Sequence, residues 1–164
     1  MRRHEKAVGS AIDQSGIARE GLFVTTKLGV QDMGYDKTLK AIERSLDRLN
    51  LEYLDLYLIH QPYSDVFGSW RAMEDKYDEG ILRTIGASNF SSDRVIDLSL
   101  FNRNYPMLNQ IEINPFYQQN QNAAFMKEHG IRTQSWASFA EGRNNLFTQS
   151  LLAKIAHKHN KSIA

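Results

Sequence analysis

Five times along this chain a short apolar run gives way to a stretch with helical spacing, and the next apolar run follows. The runs are "LFVTTKL" (22–28), "DLYLI" (55–59), "ILRTIGASNF" (81–90), "MLNQIEIN" (107–114) and "IRTQSWASF" (131–139). Between the first two lies "GYDKTLKAIERSLDRLN", whose Leu39, Ile42, Leu46 and Leu49 fall at steps of three and four, as one buried helix face requires. "SWRAMEDKYDEG" (69–80), "RVIDLSLF" (94–101) and "AAFMKEHG" (123–130) fill the later gaps. Strands joined by crossover helices are parallel, and near-continuous apolar runs suit strands covered on both faces. The pattern predicts an α/β fold.

The ends of the elements carry their own signals. A helix from Glu5 is expected to stop at Ser15-Gly16, and Asp36 stands where an N-cap would sit. Gly80 closes the third helix, and Ser91-Ser92-Asp93 caps the fourth. The last, "SLLAKIAHKHNKSIA", shows no stop signal and is expected to run to the final residue.

Composition narrows the partners. Over 164 residues, 41% are apolar and 24% charged, with a net charge of +1 and the two signs interspersed. No basic face for nucleic acid follows from that, and no membrane surface. Cysteine is absent, which removes disulfides and thiol chemistry. No apolar run approaches the roughly 20 residues of a membrane helix. "MRRHEKAVGS" lacks a signal peptide's apolar stretch, so a cytoplasmic setting is expected. No linker interrupts residues 1–164, which read as one domain.

Two parallel architectures compete. An open sheet that binds a dinucleotide carries a glycine-rich turn after an early strand, and "KLGVQDMGY" has no such spacing. Instead, polar residues collect at the carboxyl ends of successive strands: Lys27, His60, Ser88-Asn89, Gln110 and Trp136. Barrel active sites are assembled in that way, one residue from each of several strand ends. Taken singly, each residue has an ordinary structural use: a solvated lysine, a loop histidine, a Ser-Asn turn, a core tryptophan. Taken together they describe a chemistry. A lysine supplies positive charge, an imidazole orients a carbonyl oxygen, amides and a hydroxyl hold a flat carboxamide, and an indole offers a stacking face. That combination points to hydride transfer from a nicotinamide to an aldehyde or ketone. His157 and His159 lie two apart on a helix, face different ways, and read as a solvated basic end; no metal site is expected.

"FVTTKL", "LDLYLIHQP", "GSWRAME", "IGASNF" and "NQIEINPF" occur in the order and spacing of the aldo-keto reductase superfamily, which the chain closely resembles along essentially its whole length. "SWASFAEGRNNLF" is similar to the bacterial and yeast-like branch of small-aldehyde and keto-acid reductases, with Ser138 where that branch has proline. The resemblance implies a (β/α)₈ barrel, NADP(H) as cofactor, and reduction of a small carbonyl compound to an alcohol. It makes Lys27 and His60 catalytic, Ser88, Asn89 and Gln110 the contacts of the nicotinamide carboxamide, and Trp136 the aromatic that stacks on the ring.

The family's catalytic set also contains an aspartate and a tyrosine. Aligning "HEKAVG" with the family's "NEEAVG" puts the tyrosine at or near Arg2 and the aspartate before Met1, and neither is present. Tyr63, three residues past His60, has nothing to place its hydroxyl over the reacting carbon. A complete barrel takes about 250 residues, so the expectation is a partial barrel of about five strands, truncated at both ends, with the first two and last strands absent. Its open edges and uncovered inner face predict low stability and self-association. Two functions follow: a reductase impaired by truncation, or a non-catalytic remnant that retains weak dinucleotide binding as a partner or sensor subunit.

Overall fold

The computed structural model describes residues 4–164, so the alignment position at Arg2 lies outside the described residues. Helix α1 (Glu5–Gln14) is followed by five strand–helix steps: β1 (Thr25–Leu28), α2 (Tyr35–Leu49), β2 (Leu56–Ile59), α3 (Val66–Asp78), β3 (Ile85–Ser88), α4 (Ser92–Leu100), β4 (Leu108–Glu112), α5 (Asn120–Glu128) and β5 (Arg132–Trp136). A 3₁₀ segment (Ala140–Thr148) then leads into α6 (Ser150–Lys158). The strands form one sheet in the order β1-β2-β3-β4-β5, and every pairing is parallel. Sequential order with parallel pairing is the wiring of a barrel, and the described residues form five strands of it. Among the described residues, no helix is long and apolar enough to cross a membrane.

Alternation along each strand sorts side chains onto two faces. Val24, Leu28, Tyr57, Ile59, Ile85 and Ala87 join Ile42, Leu49, Trp70, Met73, Val95 and Met126 from the helices in one core. The residues between them, Lys27, Leu58, Gly86, Ser88, Gln110, Gln134 and Trp136, therefore share the other, concave face. The inner face is less open than the sequence suggests: Leu58 and Ser88 are fully buried and Leu56 is 1% exposed. The reason is curvature. The arc is tight enough for long polar side chains from its outer strands to meet above the central ones. Gly86 shows the crowding, since a Cβ there would lie 2.5 Å from the Leu108 carbonyl oxygen and 2.8 Å from Leu58 Cδ2.

Several expected boundaries shift. β1 is confined to Thr25–Leu28, and Ile81–Leu82 contribute only an isolated bridge from Leu82 to Leu54. Asp36 is not an N-cap: α2 starts two residues earlier, from Gly34, whose φ of 105° makes the turn, and no side chain caps it. α3 begins at Val66 rather than residue 69, because the Asp65 side chain accepts from the Gly68 N–H at 2.8 Å. α6 does not run to Ala164. Asn160 takes a left-handed φ of 51° that stops it, so "KSIA" lies beyond the helix.

The amino-terminal rim of the sheet is tied by a buried charge. Asp55, 6% exposed, accepts from the Val24 N–H at 2.8 Å and from Arg19 Nη2 at 2.6 Å. Arg19 and Arg83 sandwich the Tyr53 ring, their guanidinium carbons 4.0 and 3.5 Å from its centroid, which adds cation–π attraction to the ion pair. Replacing Asp55 by Ala strands a buried N–H and a largely buried guanidinium, and such a loss costs about 3 kcal/mol. Urea unfolding is expected to register it as a lower midpoint with an unchanged slope, and Asp55→Asn, which keeps an acceptor for Val24, should lose less.

Candidate active site at the carboxyl ends of the strands

The six residues singled out in the sequence stand on, or directly after, five neighbouring strands. Lys27 is on β1, His60 directly follows β2, Ser88 and Asn89 end β3, Gln110 lies in β4 and Trp136 ends β5. Hydrogen bonds tie them together. The Lys27 ammonium donates to Gln110 Oε1, bridging the arc from β1 to β4. Asn89 Nδ2 donates to the His60 carbonyl at 3.0 Å and to Ser88 Oγ at 3.1 Å, while its Oδ1 accepts from the Trp136 indole N–H at 2.8 Å. The Asn89 backbone N–H donates to the Gln110 carbonyl at 2.9 Å. One asparagine thus touches groups from β2 through β5.

Asn89 reaches all of them because its backbone is left-handed, with φ 63°. That region is unfavourable for most L-residues, and asparagine is among the few that enter it readily. The strand turns sharply there, aiming the amide back across the rim instead of onward into α4.

Gln134 completes the cluster and was not singled out beforehand. It is the register partner of Gln110 in β5, and its Oε1 accepts from Gln110 Nε2 at 2.7 Å. The alternation in "TQSW" carried the signal: Gln134 sits two residues before Trp136 and so shares its face. At the end of β5, Ser135 Oγ donates to the Ile113 carbonyl at 2.6 Å and lies 2.8 Å from Ser138 Oγ, tying down the loop that follows the strand. A cavity of about 300 Å³ opens against Asn89, Glu112, Tyr117 and Trp136. Tyr63 is 59% exposed on the surface.

Charge is unevenly compensated in this cluster. Burial lowers the Lys27 pKa from its usual range. Burial, and then the positive charge of Lys27, lower that of His60. A neutral imidazole beside an ammonium is a hydrogen-bond donor or acceptor without a charge of its own. The polar set also fits a flat primary carboxamide. Gln110 retains one N–H and one lone pair after its two contacts, and Asn89 Oδ1 retains a lone pair. Among the described residues no three or more His, Asp or Glu side chains converge to hold a metal ion.

The electrostatics give a checkable titration. Because the folded His60 releases its proton more readily than the unfolded one, the unfolded chain binds more protons between the lowered value and the ordinary one of about 6.5. Stability therefore rises with pH across that window and is lost as pH falls through it. NMR titration should place His60 below the ordinary value. Lys27→Met should move it back upward, though not fully, because burial remains.

Comparisons with known proteins show which family the chain belongs to. Residues 2–164 match the model of the aldo/keto reductase family. The chain is 43% identical over 163 residues to a glyoxal reductase of Bacillus subtilis, covering 99% of this chain and 58% of that protein. It superposes with a TM-score of 0.94 on an aldo-keto reductase from a deep-sea metagenome library of the Medee basin, at 38% identity, covering 98% of this chain and 60% of that one. An aldo-keto reductase of Bombyx mori, solved in complex with NADP, matches with a TM-score of 0.89 and 32% identity over 98% of this chain and 60% of its own. The chain thus spans under two thirds of the length of these relatives.

Proposed function

The chain belongs to the aldo/keto reductase family, and from that premise we propose that its strand-end cluster reduces a small aldehyde or ketone to an alcohol with NADP(H). The observation that carries the reading is the convergence of Lys27, His60, Ser88, Asn89, Gln110 and Trp136 in one hydrogen-bonded mouth. A nicotinamide dinucleotide, when bound, supplies the hydride. Ser88, Asn89 and Gln110 hold its carboxamide, matching donors with acceptors, and the Trp136 indole provides the flat apolar face against the ring. A relative of the same fold was solved with NADP, which supports the choice of cofactor.

His60 and Lys27 act on the other reactant. The imidazole donates a hydrogen bond to the carbonyl oxygen and so fixes which way that group points. The ammonium holds positive charge where the oxygen becomes negative, and in a half-buried site that attraction is less screened than in water. The lowered pKa of His60 keeps it neutral for that hydrogen bond, and the lowered pKa of Lys27 lets its ammonium pass a proton to the alkoxide that hydride addition leaves. The apolar Leu56 and Leu58 beneath them exclude water from the floor.

The experiment is NADPH-dependent reduction of a simple aldehyde by the chain. Slow turnover is expected, as the impaired-reductase reading implies, and His60→Ala or Lys27→Met should lower it further by about 10² to 10⁴, the usual worth of one acid–base group. Binding of NADPH without turnover would instead support a dinucleotide-binding partner or sensor, and neither binding nor turnover would end both readings.

The outer strands carry a partner proposal as well. β1 and β5 each have one strand neighbour within the described sheet, and unpaired ladder groups favour addition of further strands. Self-association through these edges is expected in sedimentation experiments as a concentration-dependent increase in mass. A monodisperse monomer with a cooperative melt would count against it.

A further inference from the structure

The direction of the amides in the mouth can be worked out from Lys27 outward. An ammonium has only donors, so the end of the Gln110 amide that meets Lys27 has to be its oxygen. The Gln110 NH₂ is thereby turned toward β5. There it needs an acceptor, and Gln134 Oε1 lies 2.7 Å away. Gln134 is placed for this by the ladder itself, because Gln110 and Gln134 are register partners on adjacent strands. The result is a polarised row across the concave face: ammonium to carbonyl, then amide N–H to carbonyl, ending on the Gln134 NH₂.

Either amide alone could turn over by a half-rotation with little change in shape. Held between Lys27 and Gln134, the Gln110 amide cannot turn alone, since reversal would aim an N–H at the Lys27 ammonium and an oxygen at the Gln134 oxygen; turning both amides would restore the second contact but not the first. We propose that Gln134 is a positioning residue that locks the Gln110 amide in the orientation Lys27 requires, so that Gln110 offers its remaining N–H and lone pair in a fixed sense. The role is that of an acceptor and nothing more. For its effect on dinucleotide binding the inference rests on the carboxamide role assigned to Gln110, whereas the lock itself is a property of the free protein.

An acceptor role separates two substitutions of similar size. Gln134→Glu keeps an oxygen for Gln110 Nε2, and Gln134→Leu removes it; Gln134→Met repeats the second arm should the leucine variant fail to fold. In the free, ¹⁵N-labelled protein, hydrogen exchange of the Gln110 side-chain NH₂ should be about ten-fold slower than that of exposed Gln118, the worth of one net hydrogen bond. Gln134→Glu should retain this protection, and Gln134→Leu should bring Gln110 to the Gln118 rate. NADPH affinity should follow, falling about ten-fold in Gln134→Leu and changing less than about two-fold in Gln134→Glu. Unchanged protection in the leucine variant, or equal loss in both variants, would overturn the lock. If the exchange pattern holds while no form binds NADPH, the lock stands and the dinucleotide reading falls.

Discussion

The curvature of the sheet is the constraint on which the rest of the structure depends, and one side-chain contact records it: the Lys27 ammonium on β1 meets the Gln110 side-chain oxygen on β4. Neighbouring strands lie about 4.8 Å apart, so in a flat sheet these two strands would be separated by about 14 Å, with their side chains standing side by side. Only a sheet rolled toward barrel geometry brings them together. The same roll brings the Trp136 indole on β5 to Asn89 at the end of β3. It also explains why Leu56 and Leu58 are buried in an arc of five strands. Polar contacts at the mouth and apolar contacts beneath it are consequences of one bend.

The two ends of the strands divide the work. At the amino-terminal rim, Asp55, Arg19, Arg83 and Tyr53 form an ionic and aromatic cluster that pins β2 to the chain before β1, although Arg19 Nε and the Tyr53 hydroxyl are buried there without a hydrogen-bond partner. At the carboxyl rim, Lys27 has a neutral amide as its partner and His60 is kept neutral by burial and by that lysine. Charges that are paired by carboxylates stabilise; charges that are left facing amides are available to a reactant. Barrel enzymes follow this division generally, with chemistry at the carboxyl face and stability at the other.

Much of this was legible in the residues. The alternation of apolar runs and helical stretches specified parallel strands in sequential order, because crossover helices leave no other local solution. The strand-end residues were legible as a group for the same reason: parallel strands carry their carboxyl ends to one rim. Boundaries were less so. Asp36 has the chemistry of a cap, yet Gly34 opened the helix sooner because its positive φ makes the turn without one. Asn160 ended α6 through a left-handed backbone that asparagine adopts only when context favours it. Gln134 went unnoticed since a glutamine inside a strand carries no local signal; its meaning comes from register with Gln110, a relation between residues far apart in sequence. The burial of the inner leucines was missed because curvature belongs to the whole sheet.

Asn89 shows what such convergence implies for change over time. Its amide, hydroxyl neighbour and backbone N–H reach components of four strands from one left-handed position. Glycine could copy the backbone but none of the side-chain bonds, and glutamine could copy the amide but not the reach or the turn. Hence the site has a bottleneck: the loops around the rim beyond these residues carry none of these bonds, while neither glycine nor glutamine at this one position would keep them all. A lineage could exchange what the mouth accepts many times over and still pass through the same asparagine.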